Sequence, residues 1–179
     1  MPTYNLSSSV RIGLHSNKLI SMSTHPRIIE GETAASGARI AIVAARFNAL
    51  VVDKLVSGAL ETLHAQGVRD ENLTLVRVPG AFEIPLAAKN LAASGRQDAI
   101  IALGAVIRGE TPHFDFVAGE CARGISQVAL DSGIPVALGV LTCDNLEQAL
   151  ARAGGGAGNK GADAALVALQ MAGLLRKLG

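Results

Sequence analysis

The sequence is poor in aromatic residues and has no concentration of positive charge. Its 179 residues include no tryptophan, one tyrosine and four phenylalanines, and its 16 lysines and arginines face 15 acidic residues. Proteins that bind nucleic acids usually present a basic surface, often with aromatic side chains on which bases stack. These absences argue against a nucleic-acid partner.

Long apolar runs are also missing, although hydrophobic residues make up 49% of the chain. No segment reaches the roughly 18 uninterrupted apolar residues that a membrane helix requires, so we expect no membrane span. Much of the apolar content is alanine and glycine, which allow helices and subunits to pack closely. We therefore favour an oligomer, with a large alanine-rich core in a monomer as the alternative.

Motifs that bind metals or nucleotides are absent as well. The two cysteines, Cys121 and Cys143, follow neither a CxxC nor a zinc spacing. Both lie in apolar stretches, so we expect buried free thiols in a reducing cytoplasm. The glycine run at 154–158 follows a predicted helix rather than a strand, and no GxxxxGKS/T motif occurs. We expect no metal, no bound cofactor, and a flexible glycine connector between two helices.

Residues 1–38 differ in composition from the rest of the chain. They are rich in serine, threonine and asparagine, with no acidic residue before Glu30. This predicts a disordered or loosely attached extension over 1–38, followed by one domain over 39–179. Two other interpretations stay open, namely a natural start at Met22 and a targeting segment for an organelle. Without such targeting, the predicted location is the cytoplasm.

From residue 39 onward, predicted strands alternate with predicted helices. The continuous apolar stretches that are typical of buried parallel strands occur at 39–45, 73–78, 99–107 and 135–141. Helical spacing follows them at 52–63, 83–93, 114–130, 145–153 and 161–177. The pattern predicts a three-layer α/β sandwich with a four-stranded parallel sheet and flavodoxin-like winding.

Ligands of such sheets bind at the carboxyl ends of the strands. After the first predicted strand, Phe47 can stack on a flat heterocycle, with burial in the core as the alternative. After the second, Pro79-Gly80 makes a turn into a helix whose free N–H groups can donate to a ligand. Glu83 can accept hydrogen bonds from hydroxyl groups, or it can simply stabilise the helix dipole.

The segment after the third predicted strand is the most informative. Gly109 permits a close backbone approach, and Glu110 and Thr111 can offer N–H groups to an anion at the start of a helix. His113 can move protons near neutral pH, with a structural hydrogen bond as the alternative.

Two cations flank the glycine run, Arg152 before it and Lys160 after it. Such residues are ordinarily solvated charges on the protein surface, where ion pairs contribute little to stability. A role at an anion site is the competing hypothesis.

Together these segments resemble the lumazine synthase family over about residues 39–178. The motifs that carry the resemblance are RFN at 46–48, PGAFEIP at 79–85, GAVIRGETPHFDFV at 104–117 and RAGGGAGNKGADAA at 152–165. Four ordered motifs on an α/β frame are far more specific than any one of them.

The resemblance implies a role for each matching residue. A pyrimidine ring would stack on Phe47, in a pocket lined by Ala105, Val106 and Ile107. A ribityl chain would be held by Ala81, Phe82 and Glu83. A phosphate would be bound by Glu110 and Thr111, by Arg152 of a neighbouring subunit, and near Lys160. The catalytic residue would be His113. Leu138 matches a position that is often aromatic, so it would keep an apolar wall without the extra stacking.

The implied reaction condenses 5-amino-6-(D-ribitylamino)uracil with 3,4-dihydroxy-2-butanone 4-phosphate. The implied assembly is a pentamer, or several pentamers, with sites shared between subunits and with riboflavin synthase as a candidate partner. Three alternatives compete: a non-catalytic flavin- or lumazine-binding protein, a shell-forming protein of the same fold, and a flavodoxin-like signalling domain. The last would require an acidic cluster or a flavin phosphate loop, and the sequence contains neither.

Overall fold

The computed structural model describes residues 26–33 and 37–179. Within this part of the chain, four strands form a parallel sheet in the order β2-β1-β3-β4. The strands are β1 Ile40–Ala45, β2 Leu73–Val78, β3 Ala99–Ile107 and β4 Val136–Cys143. The predicted fold class is confirmed, and so are the four predicted strands, which differ from the observed ones by at most two residues at either end.

Helices cover both faces of the sheet, because right-handed crossovers that run in opposite directions across it, from β1 to β2 and from β2 to β3, place their helices on opposite faces. They are α1 Ala49–Ala65, α2 Ile84–Ala93, α3 His113–Ser132, α4 Leu146–Ala151 and α5 Lys160–Leu178. A 3₁₀ turn at Ala81–Glu83 leads into α2. All five predicted helices are present, although α3 and α5 each begin one residue earlier than predicted.

Alternate residues of the buried strands point to two separate apolar cores. Ile40, Ile42 and Ala44 of β1 face the core that α1 and α5 complete. Ala41, Val43 and Ala45 face a second core beneath α2 and α3. Both thiols lie in these cores and are free, as predicted. Burial raises the pKa of Cys121 to about 11, which keeps the thiol neutral at physiological pH.

Small residues allow α1 and α5 to pack with their backbones in contact. A Cβ atom at Gly161 would overlap the carbonyl oxygen of Leu55, and one at Gly58 would overlap the Asn159 side chain. Asn159 accepts hydrogen bonds from the amides of the first turn of α5, while its own amide donates to the Lys54 carbonyl at 2.9 Å. The N-terminal cap of one helix is thereby bonded to the backbone of the other.

The glycine run is where the sequence prediction is wrong. Instead of a flexible connector, it forms a short antiparallel hairpin of β5 Ala153–Gly155 and β6 Gly158–Asn159. Positive φ angles at Gly154 and Gly158 turn the chain, a conformation that glycine adopts without steric cost. A run of glycines predicts flexibility because glycine has no side chain to pack. The hairpin is held instead by hydrogen bonds between backbone groups.

The segment 26–33 lies against α5. A Cβ at Gly31 would overlap the Gln170 carbonyl oxygen, and Lys177 donates both to the Glu30 carbonyl and to the Glu32 carboxylate. The division of the chain at residue 38 stays a prediction. The proposals of a start at Met22 and of a targeting segment concern positions outside the described residues. In the part of the chain that the structure covers, every helix is too short or too polar to cross a bilayer.

Candidate active site

A cavity of about 720 Å³ opens at the carboxyl edge of the sheet. Three segments line it: the turn after β1, the 3₁₀ turn after β2, and the loop after β3 with the first turns of α3. Its volume falls within the usual range for small-molecule sites, and its position agrees with the rule for open α/β sheets.

The turn after β1 is bonded to the end of β2. The amide of Arg46 donates to the Val78 carbonyl at 2.8 Å, and that of Phe47 donates to the Pro79 carbonyl at 3.0 Å. The Phe47 ring is 71% exposed at the cavity. The alternative of a core phenylalanine is therefore wrong for this residue.

The 3₁₀ turn after β2 presents Glu83 to the cavity. One carboxylate oxygen of Glu83 accepts a hydrogen bond from the Gly80 amide at 2.9 Å, which orients the side chain. Ala81 is buried, whereas Phe82 is 57% exposed, and all three residues line the cavity. The other carboxylate oxygen can accept from a ligand hydroxyl group.

The loop after β3 carries the predicted anion-binding residues and the predicted proton carrier. Helix α3 begins at His113, with Pro112 as the preceding cap residue. Thr111 and His113 line the cavity, together with the strand residues Ala105, Val106 and Ile107. Glu110 lies in the same exposed loop but outside the cavity lining.

Arg108 braces this loop, and sequence reasoning missed it. Its guanidinium donates to Asp115 at 3.2 Å and to Asp144 at 3.3 Å, and it lies 4.0 Å from the centroid of the Phe114 ring. The hydrogen bond with Asp115 raises the pKa of Arg108 still further above its ordinary value. Arg108 precedes residues 109–112, and its bond to Asp115 connects it to the start of α3 on their other side. Its bond to Asp144 ties it to the loop after β4.

All four phenylalanines of the chain meet at this cavity: Phe47, Phe82, Phe114 and Phe116. Sequence reasoning singled out the first two and missed the last two. Their position in the first turn of the helix after β3 could have identified them as residues near the site. Flat aromatic surfaces so concentrated favour a flat heterocyclic ligand.

Besides Glu110, three predicted site residues do not line the cavity of their own chain. Leu138 lies in the middle of β4, paired with Ala102, and is 56% exposed. The Arg152 guanidinium donates to the Gln148 carbonyl at 3.0 Å, and the Lys160 ammonium donates to Asp163 at 2.7 Å. All three are on the surface of the molecule.

No group of three His, Cys, Asp or Glu side chains is arranged to hold a metal ion anywhere in 26–33 or 37–179. The expectation that the protein uses no metal or cofactor stays a prediction.

Fold and site together define an α/β protein with flavodoxin-like winding and an aromatic-lined cavity at the carboxyl edge of its sheet. A family model described as 6,7-dimethyl-8-ribityllumazine synthase matches residues 37–176. A protein of that name from Nitratidesulfovibrio vulgaris (strain DP4) is 55% identical over 154 residues, which cover 86% of this chain and 99% of the relative. The chain belongs to the 6,7-dimethyl-8-ribityllumazine synthase family, which confirms the resemblance seen in its motifs.

Proposed function

We propose that the cavity at the carboxyl edge of the sheet is the active site for synthesis of 6,7-dimethyl-8-ribityllumazine. As a member of this family, the chain is a transferase of riboflavin biosynthesis. It condenses 5-amino-6-(D-ribitylamino)uracil with 3,4-dihydroxy-2-butanone 4-phosphate. The observation that carries the assignment to this cavity is the meeting of four phenylalanines with Glu83, Thr111 and His113.

The pyrimidine substrate is proposed to stack on Phe47. Ala105, Val106 and Ile107 form the wall beside its ring, and their backbone groups can bond its polar edge. An exposed aromatic ring over an apolar floor suits a flat heterocycle, because stacking and desolvation act together.

The ribityl chain is proposed to lie along Ala81, Phe82 and Glu83. The Gly80 amide holds one oxygen of Glu83, so the second oxygen presents its lone pairs in a fixed direction. A carboxylate that is oriented in advance binds hydroxyl groups without losing further side-chain entropy.

The phosphate of the second substrate is proposed to bind the loop before α3, through Glu110 and Thr111. Free N–H groups before a helix, the Thr111 hydroxyl and the helix dipole all favour a dianion there. The Arg108 contacts with Asp115 and Asp144 support this loop from both sides.

His113 is the proposed catalytic residue. The 5-amino group of the pyrimidine attacks the ketone and the adduct loses water to give an imine. Proton removal then expels phosphate, an enol tautomerises, and the ring closes with loss of a second water. His113 lines the cavity one residue after the cap of α3, where it can carry protons between these steps.

Proximity is proposed to supply more of the acceleration than proton transfer. The substrates bring their own nucleophile and leaving group, and correct orientation of two reactants can supply up to about 7–11 kcal/mol. General acid–base help typically adds about 10²–10⁴-fold.

Leu138, Arg152 and Lys160 are proposed to act in the site of a neighbouring subunit. The support is their absence from the cavity of their own chain and their exposure on the β4 side of the molecule. These positions support a homo-oligomer with shared sites, and the resemblance to the family implies that it is built of pentamers. Association with riboflavin synthase, a cytoplasmic location, and an extension over 1–38 before the catalytic domain complete the proposal.

The decisive experiment mixes the purified protein with both substrates and follows lumazine fluorescence and phosphate release together. Equal rates of both signals are expected, and omission of either substrate is the control. A protein that binds the pyrimidine but yields neither product would be a binding protein. Light scattering after size-exclusion chromatography tests the pentamer, and a monomer that turns over fully would contradict the shared site.

A further inference from the structure

Asn48 has an unusual backbone conformation for its position. Among the residues that the structure describes, it is the one non-glycine residue with a positive φ, at 60°. It is also the residue before α1, where the usual conformation is extended and the side chain usually caps the helix. Asn48 does neither, since its side chain makes no capping hydrogen bond.

The Asn48 side chain instead reaches across to another strand. Its amide nitrogen donates to the carbonyl oxygen of Ala105 at 2.8 Å, a partly buried bond between residues 57 positions apart. Ala105 belongs to β3, and both residues line the cavity. The bond therefore joins two of the three segments that form the site.

The neighbouring residue gives this bond a consequence for the ligand. Phe47 is 71% exposed, so little side-chain packing determines where its ring lies. Its position depends on the backbone, which bonds to Pro79 on one side and, through Asn48, to Ala105 on the other. The turn is thus held by two backbone bonds, to Val78 at the end of β2 and to Pro79, and by a single side-chain bond from Asn48 to β3.

We infer that Asn48 is a positioning residue for the pyrimidine substrate, holding Phe47 at a set height above Ala105 and Val106. The inference rests on the proposed function of the cavity. Asparagine meets both requirements of the position, because it tolerates the left-handed conformation better than most residues and also carries an N–H donor. Glycine would meet only the first, and aspartate would place an acceptor against the Ala105 carbonyl.

The test uses Asn48→Gly and Asn48→Asp in the full-length protein. Glycine removes the bond to Ala105 but keeps the backbone conformation, so the thermal stability of Asn48→Gly should stay near that of the wild type. We expect the KM for the pyrimidine to rise about three- to tenfold in both variants, as for the loss of one ordinary hydrogen bond. The KM for the butanone phosphate should change less than about twofold, because its loop is supported by Arg108 instead.

Asn90→Asp is the matched control. The Asn90 amide also donates to a backbone carbonyl at 2.8 Å, that of Leu86, but Asn90 lies on α2 outside the cavity lining. Its variant should keep both KM values. Equal changes in the two KM values of the Asn48 variants, or no change in either, would overturn the inference.

Direct binding separates this inference from the proposed function. The dissociation constant of 5-amino-6-(D-ribitylamino)uracil is measured calorimetrically for the wild type and both Asn48 variants. A wild type that binds the pyrimidine without forming lumazine would contradict the function alone, while weaker binding by both Asn48 variants would still support positioning. Wild-type affinity in both variants would contradict positioning even if turnover is normal.

Discussion

Arg152 and Lys160 are joined across the base of the glycine hairpin, where the Lys160 amide donates to the Arg152 carbonyl at 2.9 Å. This bond holds the backbones of the two cationic residues next to each other. Both side chains are exposed, and both lie outside the cavity of their own chain. Such an arrangement suits an anion site that is completed when a second subunit approaches.

Arg152→Ala should raise the KM for the butanone phosphate by about tenfold or more, with little change for the pyrimidine. A guanidinium matches a phosphate dianion in both charge and geometry, so its loss affects one substrate selectively. Initial rates at varied concentrations of each substrate measure this. Arg96→Ala, an exposed arginine ahead of β3, is the control, and equal effects on both substrates would refute the assignment.

A mixture of His113→Ala and Arg152→Ala subunits should be more active than the average of the two parents. If the site is shared, some interfaces of a mixed assembly pair an intact His113 with an intact Arg152. The measurement is the activity of coexpressed, doubly tagged and tandem-purified assemblies. Activity no higher than the parental average would mean that each subunit carries its own complete site.

His113→Ala alone should slow turnover by about 10–10³-fold without abolishing it. The substrates supply their own nucleophile and leaving group, so their correct placement still accelerates the reaction. Single-turnover rates at saturating substrate check this, with His64→Ala on the exposed face of α1 as the control. Complete loss in a correctly assembled variant would contradict proximity as the main contribution.

Gly161→Ala should lower the free energy of unfolding by about 1–3 kcal/mol. The added methyl group would overlap the Leu55 carbonyl oxygen, so α1 and α5 would have to separate. Gly119→Ala is the matched control, since a Cβ there meets nothing within 4 Å and alanine favours helix. Thermal unfolding of both variants measures the effect. An unchanged stability of Gly161→Ala would show that α1 and α5 can separate at little energetic cost.

Acid should remove the stability that Asp98 contributes. Its hydrogen bond with the Arg39 side chain lowers the pKa of the Asp98 carboxyl group, so the folded state favours the charged form. This stability is present above the carboxyl pKa of the unfolded chain, about 3.9, and is lost as the pH falls through the lower folded value.

Asp98→Asn should therefore flatten the dependence of stability on pH below about 4, measured by urea unfolding at several pH values. The comparison is Asp53→Asn, which makes the same charge change at the exposed ion pair with Arg77. If the stability of Asp98→Asn falls with pH below about 4 as steeply as that of the wild type, other carboxyl groups govern the dependence.

The fold could be predicted because its signals are local. Stretches such as 99–107 are apolar without alternation, which is typical of strands whose two faces are both covered. The segments at the carboxyl ends of the first three strands could be named for the same reason, since parallel strands place those ends at one edge.

The bonds between those segments could not be predicted. The Asn48 amide reaches a carbonyl 57 residues away, and nothing in the spacing of RFN distinguishes that bond from an ordinary helix cap. Phe114 and Phe116 face the cavity because of the direction in which α3 leaves β3, and the glycine run is ordered by backbone bonds that composition does not encode.

By itself, then, the sequence determined the layers, the parallel sheet and the edge at which the cavity opens, because burial imposes a recognisable pattern on neighbouring residues. Only the tertiary structure decided which side chains share a cavity and which ones, like Arg152, are left outside it. Those choices depend on distances between atoms far apart along the chain, and no local pattern of residues records such distances.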